Sequence, residues 1–330
     1  MLYYPLRRRR RGYKIVHFYT KIFFQELTLK KIIEKHTVPQ GISRIRLSDY
    51  ACEIFQTIPS RKGIKKAVKR GDVSIDGATA STGDWVKPGQ IIELCDNETV
   101  KTEFYRMTIE VIYEDDYIAI VNKPAGIPVN GNRFKTVENA LPLNLELSKA
   151  ASRLPRPRPV HRLDSPTSGL LAIAKTGEAM ISLSSQFAAK TIKKRYRAIV
   201  TGKLKGDGTI DTPVDGREAF TEFHPVKTIP SLKNGFLTLV NLIPHTGRTH
   251  QLRKHMAEIG HPIAGDKTYS PVDSLLKSKG LFLCAVELTI NHPINNEIMT
   301  FSIPDPGKFS SYMERELRWW MKFNPEGQIL

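Results

Sequence analysis

Apolar positions change their period along the chain, and each change marks an element. Leu47, Tyr50, Ala51, Ile54 and Phe55 recur at the three-and-four spacing of a helix with one buried stripe. A second helix is predicted from Ser60, whose hydroxyl can cap it, to Gly71, which can end it, with Ile64, Ala67 and Val68 on its apolar side. Val73 to Ile75, followed by Asp76-Gly77, reads as a strand entering a hairpin. Leu170 to Ala174 is an unbroken apolar run beyond a turn bracketed by Pro166 and Gly169, the pattern of a short buried strand. Glu178 to Phe187 is predicted to be helical, with Met180, Ile181, Leu183, Ser184 and Phe187 inward. Tyr196, Ala198 and Val200 alternate with Arg195, Arg197 and Ile199, as in a strand that turns Tyr196 inward. Phe236 to Leu242 is another strand. Thr249 is placed to cap a helix from His250 to Ile259, with Leu252, Met256 and Ile259 on its core face and Arg253 on a neighbouring one. Strands at Leu281 to Ile290 and Met299 to Ile303 close the pattern. These elements predict a sheet-rich α+β domain preceded by a smaller α/β module.

Between the periodic stretches lie the breaks that divide the chain. Residues 43–97 form the small module, 98–107 a polar linker, 108–305 the large domain, and 306–330 a partly helical tail. Arg153-Leu154-Pro155-Arg156-Pro157-Arg158-Pro159 cannot be a helix, because alternate prolines remove donors and fix φ, and it reads as an exposed loop. Residues 1–42 carry the uninterrupted run Arg7 to Arg11, then aromatic and aliphatic residues broken by Lys14, His17 and Lys21. A secretory signal needs a continuous apolar core, so export is not expected, and the lack of serine argues against an organellar transit peptide. A disordered basic arm or a start assigned too far upstream fits better.

At 330 residues and 40% hydrophobic content, the chain is long enough for a sizeable core. A formal net charge of +17 favours a polyanionic partner, nucleic acid before membrane, because each neutralised phosphate releases counterions. No apolar run approaches a membrane span. The three cysteines, Cys52, Cys95 and Cys284, stand far apart, which suggests neither a disulfide framework nor a zinc site and fits a reducing, cytoplasmic setting. His245, His250, His255 and His261 are five or six residues apart, so they spread around a helix and do not converge on a metal. No dinucleotide fingerprint, phosphate loop or nucleophile elbow occurs, and no cofactor is expected.

Charge is concentrated on the second helix. Arg61, Lys65 and Lys69 stack at i, i+4 and i+8, with Lys62, Lys66 and Arg70 alongside and no acidic residue at i±4 within the helix. The stripe is either a solvated face or a phosphate-contacting one. The other chemical candidate is His161-Arg162-Leu163-Asp164-Ser165-Pro166-Thr167-Ser168-Gly169-Leu170-Leu171, a carboxylate and a guanidinium at a turn that opens into the buried strand. Taken alone, Arg162 and Asp164 could be a structural ion pair, and Tyr196 a core tyrosine.

This string resembles the central motif of the RluA-type pseudouridine synthases, in which HRLD followed by a TSGL turn carries the catalytic aspartate. Residues 111–117 and 121–129 are similar to that family's first motif, Lys194 to Ala198 to its KxYxA element, and Thr246 to Arg253 to its TGRTHQ(I/L)R element. The resemblance covers roughly residues 108–305. Residues 43–97, with Gly83-Asp84-Trp85-Val86-Lys87-Pro88-Gly89 closing them, resemble the S4-like (αL) RNA-binding module.

The resemblance implies an RNA uridine isomerase without cofactor, acting as a monomer on large-subunit ribosomal RNA or on tRNA. It assigns Asp164 as nucleophile or ribose base, Tyr196 as the stacking partner of the flipped uracil that also helps C5 deprotonation, Arg253 as the counter-charge of Asp164, and Arg162 as the wedge in the vacated stack. Arg61, Lys62, Lys65, Lys66, Lys69 and Arg70 would bind RNA. Two other classes stand beside it: an rRNA-binding assembly factor without catalysis, and an enzyme releasing free uracil. Cys284 departs from the family, which often has histidine there, and the basic amino terminus lies outside its pattern.

Overall fold

The computed structural model describes residues 31–58, 60–96, 104–270 and 280–325. Contacts divide the chain into two units, Met1–Glu103 and Phe104–Leu330.

The first unit contains strands β1 (Lys31–Thr37) and β2 (Ile45–Arg46), helices α1 (Leu47–Ile54) and α2 (Arg61–Arg70), and strands β3 (Val73–Ile75), β4 (Ala78–Thr79), β5 (Trp85–Val86) and β6 (Ile91–Asp96). The sheet runs β1-β6-β3-β4, and β2 pairs with β5. Leu47 and Ala51 from α1, its capping residue Phe55, and Ile64, Ala67 and Val68 from α2 close over Val73, Ile92 and Leu94. The local signals act as the sequence suggests. Ser60 Oγ accepts the Gly63 N–H at 3.1 Å, Gly71 ends α2 at φ +80°, and Asp76 and Gly77 turn the hairpin at φ +50° and +78°. Strand β1 lies in the stretch expected to be an extension. It is held by a ladder to β6 rather than by its own pattern, for Ile32 and Ile33 are 47% and 48% exposed. Residues 1–30 of that stretch lie outside the described residues, as do 98–103 of the expected linker.

The second unit opens with β7 (Glu110–Glu114), β8 (Ile118–Lys123) and α3 (Val137–Ala140), continued by the 3-10 turn Leu141–Leu143. Then come β9 (Arg153–Pro159), β10 (Ser168–Thr176), α4 (Gly177–Ala188), β11 (Lys193–Thr201), β12 (Gly208–Ile210), β13 (Thr221–Ser231), β14 (Gly235–Pro244) and α5 (Gln251–Glu258). Strands β15 (Leu283–Asn291) and β16 (Ile298–Ser302) and helix α6 (Gly307–Phe323) complete it. Among the described residues, one mixed sheet runs β12-β13-β14-β11-β15-β10-β8-β7, with β16 beside β15 and β9 beside β10. Both of its faces are covered, which is why β10 reads as an unbroken apolar run: Leu171 and Ile173 enter one core, Leu170, Ala172 and Ala174 another.

The two halves of this sheet meet at its parallel pairing, Ser168 opposite Cys284 and Gly169 opposite Ala285. Gly169 sits at φ +112°, and a Cβ there would lie 2.2 Å from the Ala285 carbonyl oxygen. Only glycine permits both the conformation and the approach.

Four local expectations change. Arg153–Pro159 is a strand, not a loop; among the described residues it pairs only with β10, so prolines lacking N–H donors are tolerated on its other edge. In α4 the inward side is Ala179 and Leu183, with Met180 and Phe187 partly buried, whereas Ile181 is 71% exposed and Ser184 is also outside. Thr249 does not cap α5: His250 is the capping position at φ +57°, and Gln251 Oε1 accepts the Arg248 N–H at 3.0 Å. The expected tail is a core helix. Phe309, Tyr312 and Met313 of α6 pack against Phe282, Cys284, Ile199 and Leu237.

Candidate active site

A cavity of about 430 Å³ opens beside the start of α5. The turn before β10 contributes His161, Arg162 and Asp164; β11 contributes Lys194 and Tyr196; and residues 245–253 close the far side, including Arg248, His250 and Arg253. Asp164 and Arg253, 89 residues apart in sequence, thus meet because β11 and β10 flank β15 in the same sheet, while α5 packs over β14 through Leu252 and Met256.

Asp164 is 19% exposed at the side chain, with Oδ2 3.5 Å from Arg253 Nη1 and Oδ1 3.8 Å from His250 Nε2. Arg253 does face Asp164, yet its tighter partner is another carboxylate. Its Nε donates to Asp266 Oδ2 at 2.6 Å and its Nη2 to Asp266 Oδ1 at 2.9 Å, with Thr268 Oγ1 accepting from the same Nη2 at 3.0 Å. Asp266 also accepts the N–H groups of Thr268 and Tyr269. Despite burial, the Arg253 guanidinium and these donors hold the Asp266 carboxyl below its usual range. Arg253 is therefore a fixed clamp whose remaining edge is presented to Asp164. Tyr269 completes the ring of contacts, its hydroxyl 2.8 Å from His250 Nδ1 and its face 5.0 Å from the Arg253 guanidinium carbon.

A second cation lies beneath the turn. Lys123, fully buried, donates from Nζ to the carbonyls of Pro124 (2.9 Å), Ser165 (3.1 Å) and Thr167 (2.7 Å). Burial pushes it down to about 8, against the opposing pull of the Asp164 charge. It both fixes the backbone after Asp164 and adds positive charge below it. Burial first, then the charge of Asp164, raises Tyr196, so this phenol is held protonated. His161 is a structural member: Nε2 accepts the Ala172 N–H at 2.9 Å, the ring stacks on Phe187, and burial, then the Lys194 charge, brings it down to about 3. Arg162 is exposed at the cavity and makes no side-chain ion pair among the described residues.

Cys284 points away from this cavity into the α6 core, while its neighbour Leu283 lines the cavity. The histidine series is structural in part: His255 is buried with Nδ1 3.0 Å from Thr221 Oγ1 and Nε2 3.0 Å from the Thr212 carbonyl. Among the described residues, no group of three or more His, Cys, Asp or Glu side chains could hold a metal ion. Nor is any described helix long and apolar enough to cross a membrane.

In the first unit all six basic residues of α2 are exposed, but two are neutralised from outside the helix. Arg61 Nε lies 2.5 Å from Asp49 Oδ1, and Arg70 Nη2 lies 2.6 Å from Asp72 Oδ2. Lys62, Lys65, Lys66 and Lys69 remain the solvated part of the stripe. The α2 pattern also gives no hint of a neighbouring cationic group, Arg44 and Arg46, stacked on Trp85 at 4.5 and 4.2 Å from its ring centroid.

One clamped carboxylate beside a protonated phenol, in a cavity bordered by arginines and lysines, defines a site for chemistry on a polyanion. A family model for RNA pseudouridylate synthase matches residues 117–258. The ribosomal large subunit pseudouridine synthase D of Nitrosomonas europaea is 32% identical over 307 residues, 84% of this chain and 86% of that protein. The dual-specificity RNA pseudouridine synthase RluA of Haemophilus influenzae is 38% identical, over 59% of this chain and 92% of its own length. Among solved structures, human RNA pseudouridylate synthase domain containing 1 superposes with a TM-score of 0.51 at 26% identity, covering 60% of this chain and 84% of that one. The chain belongs to the RNA pseudouridine synthase family, whose reaction isomerises uridine within RNA.

Proposed function

We propose that this enzyme isomerises uridine in large-subunit ribosomal RNA, with Asp164 as the group that attacks or deprotonates the ribose. The observation that carries this reading is the placement of Asp164 in the cavity, faced by Arg253 and His250, with Tyr196 in the same wall. During conversion the N1–C1′ bond breaks, the uracil rotates and C5 bonds to C1′; a proton leaves C5 and one is gained at N1, so nothing is added or lost. Asp164 acts either by adding to C1′ or by taking a ribose proton. A phenol held protonated is not a standing base, so Tyr196 stacks on and orients the uracil while its hydroxyl offers a hydrogen bond. Arg253, held by Asp266, keeps Asp164 aimed, and Arg162 enters the gap left by the flipped nucleotide. Unstacking costs a few kcal/mol, which phosphate contacts offset.

Residues 31–96 serve as an S4-like RNA-binding module whose Lys62, Lys65, Lys66 and Lys69 contact phosphates, with Arg61 and Arg70 as weaker contributors. Support for ribosomal RNA over tRNA comes from coverage. Relatives named for the large ribosomal subunit match across 84% of this chain, whereas the dual-specificity relative matches 59%. The enzyme acts as a monomer in the cytoplasm. Pseudouridine mapping in total RNA from a deletion strain, complemented with wild type or Asp164→Asn, tests the assignment. The expected result is loss of discrete large-subunit sites, restored by wild type alone, with the RNA affinity of Asp164→Asn within about threefold of wild type. Restoration by Asp164→Asn would overturn the role of Asp164, and loss confined to tRNA would overturn the substrate.

A further inference from the structure

A second cavity of about 710 Å³ lies in the same unit, lined by Tyr105, Met107, the 124–128 turn and Arg133-Phe134-Lys135. Its lining holds no carboxylate. Phe134 is 46% exposed, yet its backbone is pinned: its carbonyl accepts the Thr136 N–H at 3.0 Å and Asn139 Nδ2 at 2.8 Å, and Tyr105 stands edge-on at 6.0 Å. The backbone that carries this large aromatic side chain is thus fixed while the ring is left open to solvent. Arg133 and Lys135 flank it, both exposed and without an ion pair among the described residues. The floor is wired to the catalytic turn. Gly126 N–H donates to the Ser165 carbonyl at 2.7 Å, and Lys123 binds the carbonyls of both Pro124 and Ser165.

An open π-face between two unpaired cations is the arrangement by which single-stranded nucleic acid is gripped, base against ring and phosphate against cation. We infer that this cavity takes an unpaired nucleotide of the same RNA whose uridine occupies the Asp164 cavity, its base on Phe134 and its phosphate between Arg133 and Lys135. The inference rests on RNA being the substrate and adds a second anchoring point on that strand. The lack of any carboxylate in the lining and the two flanking cations favour a nucleotide over a protein segment or a second copy of the chain.

The test uses the full chain and a large-subunit rRNA transcript labelled with [5-³H]uridine, comparing filter-binding affinity and tritium release for wild type, Phe134→Ala, Phe134→Trp and the Arg133→Ala/Lys135→Ala pair. Phe134→Ala is expected to weaken affinity and raise KM by between about 5- and 100-fold while kcat stays within about twofold, and Phe134→Trp is expected to restore both. The double variant is expected to weaken affinity and flatten its salt dependence. Thermal unfolding of Phe134→Ala is expected within about 2 °C of wild type, as befits an exposed ring. Unchanged affinity in Phe134→Ala, or a loss that Phe134→Trp does not recover, would overturn the inference. If wild type releases no tritium, the catalytic reading fails while the affinity comparison still decides this site.

Discussion

Helix α2 and the cavity at the head of α5 both gather positive charge, and they hold it in opposite ways. On α2 four lysines stand in solvent. In the cavity Arg253 is 5% exposed and locked between two carboxylates, one of them 1% exposed. Solvated charges act additively, are screened by salt and can substitute for one another. A locked charge acts through direction, so one altered partner changes everything that depends on it. The first arrangement suits affinity for a long polyanion; the second suits a single reacting atom.

The sharpest way to break this contrast is Asp266→Ala, which leaves the buried Arg253 guanidinium uncompensated on its tighter side. Denaturant unfolding should show a loss of about 3–5 kcal/mol, and turnover on saturating RNA should fall at least about tenfold because the clamp loses its aim. A stable, fully active variant would mean that Arg253 is held by something other than Asp266. Next in size is the pH response of His161. The folded ring stays neutral down to about 3, whereas the unfolded ring protonates near 6.5, so between those values the unfolded chain binds the extra proton. This group's contribution is complete above about pH 6.5 and is lost as pH falls, by about 1.4 kcal/mol per unit. His161→Gln, which can still accept the Ala172 N–H, should show a shallower acid limb than wild type in unfolding experiments from pH 4 to 8; parallel limbs would refute the assignment.

On the other side of the contrast, changing Lys62, Lys65, Lys66 and Lys69 together to glutamine should reduce the slope of log affinity against log salt by about 0.7 to 0.9 for each phosphate that the helix no longer neutralises. Turnover at saturating RNA should persist. Arg61→Gln alone should do less, since Asp49 already neutralises it, and an Arg61 effect exceeding that of Lys65→Gln would contradict the ion-pair reading. The smallest effect is expected from Ser60→Ala, which removes the α2 cap at about 1 kcal/mol without altering turnover.

The same division explains what the sequence disclosed. Helix α2, with its serine start and glycine stop, and strand β10, with its apolar run, are set by neighbours in the chain and were legible there. Asp164, Tyr196 and Arg253 could be grouped because they stand in recurring motifs, and the fold brings them to one cavity. Asp266 could not be read, since an aspartate in a loop announces nothing until α5 places Arg253 against it. Lys123 was similarly hidden: a lysine at the end of an apolar strand suggests solvent, not three carbonyls beneath a turn. Strand β9 was lost to its prolines, which forbid a helix but not an edge, and β1 to its charges. Helix α6 was expected only as part of a tail, because Phe309, Tyr312 and Met313 at helical spacing do not say which core they meet.

The short parallel joint at Gly169 has a consequence for how the molecule opens. Strand β15 contributes to the cores on both sides of the joint, through Ala285, Leu288 and Ile290 on one side and Leu283, Cys284 and Val286 on the other, yet its backbone pairing with β10 narrows to two residue pairs. Cooperative unfolding units follow the density of packing within them, so the amides of β7 and β8 should exchange with solvent hydrogen as one group, and those of β13 and β14 as another. Asp164 stands four residues before that joint, so the carboxylate proposed to react is carried where the backbone pairing of the sheet is thinnest.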